Sequence, residues 1–513
     1  MSSTDPKAWA VHKFGGSSVA DAECFARVAT IIEQQPRARL AVVLSACKGV
    51  TDALLGLVQR AEKADASWQA ELIALRARHS GIAQSLLAPD SVATWLKQFD
   101  ADSVAITTVL NEVAAKRSAD RSVREGIAGY GEIWSTRLFQ RYLEQRGRRG
   151  VVQWIDARQC LQVEWGSLGP GVLWEPSRSR LGQLVAPDAA TLVITGFIAM
   201  TPAGVQTTLG RNGSDFSASI FGALLDAAEI QIWTDVDGVL SADPRRVPDA
   251  QVIKSLSYNE AMELAYFGAK VIHPQTMAPA VTHQIPIWIR NTFAPEKPGT
   301  LIGAVANPEQ PVKGITSIDD VALINLEGAG MIGVPGTAHR LFGALREADI
   351  SVILISQGSS EHSICCAVPG SQAQSAQNVV RSAFETELKE GQIQDVQLTR
   401  ELAILAVVGD GMAGMPGVAG KVFQALGAAN INVRAIAQGA SERNISVVID
   451  AAQATRALRA AHAGFYLSPH TLSIGVIGPG TVGKVLLDQL ASQQARLARE
   501  FNIDLRVRGI LRS

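Results

Sequence analysis

The sequence predicts an α/β protein: a mostly parallel sheet between helices, then two smaller α+β units, then an incomplete strand–helix–strand unit. Three observations predict it. Through residue 303, apolar runs of strand length alternate with stretches of helical spacing, the pattern of a parallel sheet covered by helices. VPGTAHRLFGALREADISVILISQGSSEHSI, from Val334, then recurs as MPGVAGKVFQALGAANINVRAIAQGASERNI, from Met415, without gaps at an offset of 81 residues. Finally, TLSIGVIGPGTVGKVLLDQLASQQ runs from a strand through Gly478-x-Gly480-x-x-Gly483 into a helix, and FNIDLRVRGILRS holds one more strand.

The elements follow in order. AWAVHKFGG ends a strand, ADAECFARVATIIEQQ has helical spacing, RLAVVLSAC is a second buried strand and TDALLGLVQRAEKA a second helix. Residues 53–145 read as largely helical, interrupted near Pro89 and Asp90. TLVITGFIAM (191–200) reads as a third buried strand and EIQIWTDVDGV (229–239) as a fourth, before a loop with Asp243-Pro244. RNTFAPEKPGTLIG (290–303), rich in Pro and Gly, closes the first large domain. In the repeat Pro335 matches Pro416, Phe342 matches Phe423, Gln357 matches Gln438 and Glu361 matches Glu442. Each copy reads as a strand, a Pro-Gly turn, an amphipathic helix, a strand (ISVILIS, INVRAIA), a polar turn and a strand. Two copies do not make a solenoid; they make two small domains packed side by side.

Bulk properties remove several function classes. A length of 513 residues suggests three or four domains, and 47% hydrophobic with 19% charged residues fits a well-buried core. A net charge of −1 with mixed signs draws the chain neither to nucleic acid nor to an anionic membrane. No apolar run approaches the ~20 residues that cross a bilayer, and MSSTDPKAWA lacks the features of a signal peptide. The five cysteines (Cys24, Cys47, Cys160, Cys365, Cys366) form no CxxC pair, and the adjacent Cys365 and Cys366 face opposite ways on a strand. Reduced thiols in a cytoplasm, with no zinc site, are the expectation.

Four segments of the first domain carry chemistry, each beside a plainer reading. In Lys13-Phe14-Gly15-Gly16-Ser17-Ser18 the glycines let backbone N–H groups approach an anion and the lysine adds charge; a tight turn after a strand is the alternative. It is not a GxxxxGK[ST] loop. In Leu209-Gly210-Arg211-Asn212-Gly213-Ser214-Asp215 a polar loop precedes a helix; the helix N-terminus favours anions, Arg211 can grip a carboxylate with two bonds, and Asp215 can simply cap the helix. Trp233-Thr234-Asp235-Val236-Asp237-Gly238 follows a buried strand, where ligands of open α/β sheets bind, though Asp-Gly also makes turns. Phe267-Gly268-Ala269-Lys270-Val271-Ile272-His273-Pro274 sets a lysine among apolar residues, where lysines usually reach outward to solvent.

Together KFGGSSV (13–19), LSACKGVTD (44–52), GYGEIWS (129–135), VITGFIA (193–199), LGRNGSDFSA (209–218), IWTDVDGVLSADPR (232–245) and FGAKVIHP (267–274) resemble the aspartate kinases of the amino-acid kinase family, in family order. The repeat resembles paired ACT domains, which bind an amino-acid effector. The tail resembles the start of a homoserine dehydrogenase, an incomplete Rossmann-like unit. The resemblance, which covers nearly the whole chain, implies a kinase domain at 1–305, ACT-like units at 306–395 and 396–468, and a dehydrogenase start at 469–513.

The resemblance implies transfer of the γ-phosphoryl group of ATP, with Mg²⁺, to the β-carboxylate of L-aspartate, giving 4-phospho-L-aspartate for lysine, threonine and methionine biosynthesis. It assigns Lys13 and Asp215 to catalysis, Arg211 to the substrate α-carboxylate and Glu132 to its ammonium. Ser45, Thr51, Phe197 and Ser214 complete that pocket. Gly15, Gly16 and Ser17 cradle phosphate, and Thr234, Asp235, Arg245 and Lys270 belong to the nucleotide. Leu240 stands where relatives often carry an aromatic residue against adenine, so packing replaces stacking there. Gln357 and Gln438 bind the effector or cap turns. Threonine is the preferred effector and lysine the alternative, and a homodimer or homotetramer through ACT units is expected. No working dehydrogenase is expected, since a single strand–helix–strand unit follows the repeats. The competing readings are a non-catalytic amino-acid sensor and a kinase for another acid, such as glutamate or carbamate.

Overall fold

Ala10–Phe14 and Leu40–Leu44 are buried at every position, as strands covered by helices on both faces must be. In the computed structural model, which describes residues 8–147, 150–166, 169–268, 273–305, 310–358, 362–466, 472–478, 480–501 and 505–511, these strands lie inside an eight-stranded sheet. Its members come from strands β1 (Ala10–Phe14), β2 (Leu40–Leu44), β3 (Val151–Ile155), β6 (Ala189–Thr195), β9 (Glu229–Thr234), β10 (Ser255–Ser257), β11 (Ile287–Asn291) and β12 (Thr300–Gly303). Between them fall two hairpins, β4 (Val163–Gly166) with β5 (Gly169–Val172) and β7 (Ile198–Met200) with β8 (Gln206–Thr208). The order is β10-β12-β11-β9-β1-β2-β6-β3, and every neighbouring pair is parallel except β11 with β12. β1 is central, with Lys13 level with Val43 on one side and Ile232 on the other. The chain winds outward from β1 in both directions, so ligands are expected at the carboxyl ends of β1, β2 and β9.

The helical region is broken beside Pro89, as expected: one helix ends at Leu86, Leu87 and Ala88 are extended, and Pro89 opens the helix Pro89–Lys116 at its first turn, where its missing N–H removes nothing. Further breaks fall before Ser67 and after Lys116. TLVITGFIAM is not one strand: β6 ends at Thr195, Phe197 adopts φ 68°, and β7 joins another sheet. The Pro- and Gly-rich stretch 290–303 begins and ends in strands, in β11 and β12. Edge strand β3 escapes the sequence reading because it is only partly buried and lacks an apolar run.

The chain divides into two compact units, Met1–Val239 with Val252–Asn307, and Leu240–Gln251 with Pro308–Ser513. The stretch 240–251, which the sequence places inside a continuous first domain, thus belongs to the second unit.

That unit holds one antiparallel sheet of β13 (Gly314–Glu327), β14 (Leu354–Gln357), β15 (Ser363–Pro369), β16 (Asp395–Val408), β17 (Ala435–Gln438) and β18 (Asn444–Asp450), in the order β14-β15-β13-β16-β18-β17. The repeats do not merely pack side by side: β13 and β16 hydrogen-bond from Gly314 with Val408 to Glu327 with Asp395. The strands begun by ISVILIS and INVRAIA start late, at Leu354 and Ala435, after residues outside the ladder. Each copy has its own core, one around Ile324, Leu341 and Phe384, the other around Leu405, Val422 and Leu458. Ala242 and Val247 are buried in the latter. There Ser241 Oγ accepts from the Gln251 N–H at 2.9 Å and shares a 2.9 Å hydrogen bond with His462 Nε2. Last, β19 (Leu472–Ile477) and β20 (Leu505–Leu511) pair in parallel around the helix Thr481–Phe501, and Arg506 and Arg508 pair with Asp249.

Candidate active site

Beyond the carboxyl ends of β1 and β2 lies a cleft of about 550 Å³. Lys13, Gly15 and Gly16 form one wall, Ser45 and Thr51 another, and Arg211, Ser214 and Asp215 a third. Glu132 and Phe197 complete the lining. Ten residues assigned from separate sequence segments therefore meet in one place.

Local structure explains the meeting. β1 ends at Phe14 and the chain turns through Gly16–Val19, fixed by a 2.7 Å hydrogen bond between the Ser18 and Thr292 hydroxyls. A Cβ on Gly16 would stand 3.0 Å from the Ala46 carbonyl oxygen, so two loops can approach closely only with glycine there. Lys13 Nζ reaches Asp215 at 2.6 Å, both side chains being largely buried. Asp215 sits in the first turn of the helix Gly213–Leu224, behind Asn212 at φ 54°, and makes no side-chain cap: it holds the lysine rather than the helix end. Phe197, at φ 68°, packs so closely on Gly213 that a Cβ there would stand 2.6 Å from its ring.

Glu132 is 3% exposed, and its Oε2 has no hydrogen-bond partner among the described residues. Burial pushes its carboxyl up to about 8, against the opposing pull of the Ala46 N–H. Arg211 is exposed and makes no ion pair or hydrogen bond among the described residues. An uncompensated buried acid and an unengaged guanidinium in one cleft offer complementary handles for an amine and a carboxylate.

The remaining assignments scatter. Ser17 is half-buried on the turn, outside the cleft wall. Thr234 ends β9 and Asp235 follows it, with the Thr234 hydroxyl donating to Asp235 at 3.2 Å. Arg245 lies in the second unit, exposed and paired with Asp243 at 2.7 Å. Lys270 falls outside the described residues. Gln357 lines a cavity of about 380 Å³ with Met331, Pro335 and Thr337. Gln438 ends β17, the opposite sheet edge, and Ser356 Oγ donates to the Ile436 carbonyl at 3.0 Å, tying the two edges together.

The cleft also gathers residues that the sequence reading passed over: Lys48, Thr208 and Asn212. Lys48 was legible, a second cation inside LSACKGVTD. Asn212 was masked by its neighbour Arg211, and nothing local marks Thr208. Cys47 lines the cleft too, its thiol pushed up to about 12 by burial and so unreactive at neutral pH.

Comparison with known proteins extends the geometry. The pattern of the amino acid kinase family matches residues 8–291, and that of the ACT domain matches residues 324–384 and 405–465. The chain is 43% identical over 512 residues to a chloroplastic bifunctional aspartokinase/homoserine dehydrogenase of Arabidopsis thaliana, covering 98% of this chain and 56% of the relative. It thus spans little more than half the length of that relative. Chloroplastic aspartokinase 1 of Arabidopsis thaliana is 32% identical over 475 residues, 89% of this chain and 80% of its own. The crystal structure of E. coli aspartokinase III with aspartate and ADP superposes with a TM-score of 0.72 at 28% identity, over 89% of this chain and 99% of that one. The same enzyme with lysine and aspartate gives 0.70 at 28% identity, with the same coverage. A kinase pattern over more than half the chain, and an aspartokinase matched over most of its length, show that the chain belongs to the amino acid kinase family, among its aspartokinases, with ACT domains after the kinase part.

Proposed function

We propose that this chain transfers the γ-phosphoryl group of ATP to the β-carboxylate of L-aspartate. The observation that carries the reading is the cleft itself, where Lys13, Arg211 and Glu132 offer separate sites for a phosphoryl group, an α-carboxylate and an ammonium. Phosphoryl transfer needs positioning and charge neutralisation more than bond-making by the protein. A carboxylate nucleophile is already anionic; the barrier is its approach to a polyanion. Lys13, steadied by Asp215 at 2.6 Å, supplies the cation between them, and the Gly15 and Gly16 backbone lets the phosphate come near. Arg211 takes the α-carboxylate and Glu132 the ammonium, with Ser45, Thr51, Phe197 and Ser214 setting the pocket's size. Thr234 and Asp235 lie on the nucleotide side, and Ser17, Arg245 and Lys270 join them in our assignment. Mg²⁺, entering with the nucleotide, would offset phosphate charge.

Hydroxylamine trapping tests the reaction: aspartyl hydroxamate should form with ATP, Mg²⁺ and aspartate together, and its absence at saturating substrates overturns the reading. Lys13→Ala should lower kcat by roughly 10²- to 10³-fold with an unchanged circular dichroism spectrum; near-normal turnover removes Lys13 from catalysis.

The second unit we read as regulatory, with Gln357 and Gln438 on the effector. Threonine is our preferred effector. Lysine, bound in the E. coli aspartokinase III crystal, is the alternative, and adding each to the hydroxamate assay separates them. A homodimer or homotetramer through the ACT units, a reducing cytoplasm-like compartment and a place early in lysine, threonine and methionine biosynthesis complete the reading. So do the segment bounds 1–305, 306–395, 396–468 and 469–513. For the β–α–β piece at the end we infer no hydride transfer within these residues.

A further inference from the structure

Four residues from three distant segments of the sequence close a ring beside the cleft. The indole Nε1 of Trp165, on hairpin β4–β5, donates to Thr207 Oγ1 at 2.9 Å. Thr207 Oγ1 donates to Glu125 Oε2 at 2.6 Å. Glu125 Oε1 accepts from Arg121 Nε at 2.7 Å, and the Arg121 guanidinium carbon lies 3.6 Å from the centre of the Trp165 ring. The ring joins three elements: the hairpin, β8 and the helix Arg121–Ala128. Thr207 is 3% exposed, so both uses of its hydroxyl are fixed.

The ring's position gives it a consequence. β8 ends at Thr208, and three residues later comes Arg211. Between them Gly210 turns at φ 75°, and a Cβ there would stand 3.9 Å from the far edge of the Trp165 indole. The edge of the indole thus lies within a side chain's reach of the backbone next to Arg211. The far side of this short loop is held by the helix that starts at Gly213; the near side is held by β8, to which Thr207 belongs, by the pairing of β8 with β7 and by the Leu209 N–H donating to the Phe197 carbonyl at 2.8 Å. Arg211 itself makes no hydrogen bond or ion pair among the described residues, so its guanidinium has no polar side-chain partner there to aim it. Two-bond recognition of a carboxylate tolerates little misorientation.

We propose that Trp165 is a positioning residue for substrate binding: through Thr207 and the Gly210 backbone it sets where Arg211 meets the α-carboxylate of the amino-acid substrate. The proposal rests on the assignment of Arg211 to that carboxylate. Trp165 touches neither substrate nor phosphate; it acts on one substrate's affinity. Loss of the indole should therefore fall on aspartate and leave ATP alone.

The test is steady-state kinetics on the full chain. Trp165→Leu should raise the aspartate KM about five- to tenfold, with kcat and the ATP KM within about twofold. Trp165→Phe, which keeps a ring under Arg121 but loses the N–H, should recover part of that loss and serves as the working variant if Trp165→Leu folds poorly. Added to Arg211→Lys, Trp165→Leu should raise the aspartate KM little further, because both changes act through one contact. An unchanged aspartate KM in both Trp165 variants, a full additive penalty in the double variant, or an equal loss for aspartate and ATP overturns the positioning role. If Arg211→Lys leaves the aspartate KM unchanged, the assignment of Arg211 fails instead, and the proposal with it.

Discussion

Glu132 enters the cleft with a cost that its ligand can relieve. Its carboxyl, raised to about 8 by burial, is protonated at pH 7 when no cation faces it. An ammonium beside it favours the charged form, so binding aspartate in our reading expels a proton. The aspartate KM should accordingly fall as pH rises from 7 to 8.5, and Glu132→Gln should abolish that slope while raising KM throughout; a flat wild-type profile contradicts it. The same shift has a stability sign. Because the native pKa lies above the unfolded value, the contribution is whole below about pH 4.5 and is lost as pH rises through 8. Glu132→Gln should therefore be the more thermostable form at pH 9 and lose that advantage near pH 5, as read by melting temperature. At this scale the sequence was informative where function sits in contiguous runs: Lys13, Arg211 and Asp215 each lay in a recognisable segment. It was mute about Trp165 and Thr207, because a ring through residues 121, 125, 165 and 207 has no local pattern to read.

Among the elements, the helices Ser67–Leu86, Pro89–Lys116 and Tyr130–Gln145 meet over an aromatic cluster in which His79 contacts Trp95, Phe99 and Trp134. Burial pulls His79 down to about 4, and its Nδ1 lies 2.7 Å from the Leu75 carbonyl oxygen. A native pKa below the unfolded 6.5 means stability is complete above pH 6.5 and falls as pH drops toward 4. His79→Phe should flatten that acid limb by as much as ~3 kcal/mol at pH 4, measured by urea unfolding; an unaltered limb refutes it. The start of the helix Gly213–Leu224 offers a second check. Gly213→Ala forces a methyl against the Phe197 ring and should destabilise by roughly 1–3 kcal/mol while raising the aspartate KM; wild-type values for both would contradict the packing. Helix periodicity made these helices legible. The break inside TLVITGFIAM was not, because a phenylalanine in the left-handed region is imposed by tertiary packing rather than announced by composition.

For the whole molecule, the division at 240–251 was the least legible feature, since a loop with Asp243-Pro244 looks the same whichever core it enters. Its apolar side chains show the difference: Ala242 is 5% and Val247 3% exposed within the core of the second repeat. A fragment of residues 1–305 should leave them uncovered, bind a hydrophobic dye and self-associate on size exclusion. Val247→Ser in that fragment should lessen both, and a monodisperse, dye-silent fragment would show that the segment finds cover elsewhere. The shared sheet was half legible: the repeat foretold two like units, but nothing in either copy says that β13 will pair with β16.

The bond from Ser241 to His462 spans 221 residues of chain. A ribosome adding about 5–20 residues per second delivers Ser241 some 10–45 s before its partner exists. Throughout that interval the nascent kinase half carries an unfinished strap with Ala242 and Val247 bare, so its burial must wait for translation of the second repeat. A slow codon cluster placed between the two would lengthen the exposure, and a trigger-type holdase at the exit tunnel would find its binding stretch there.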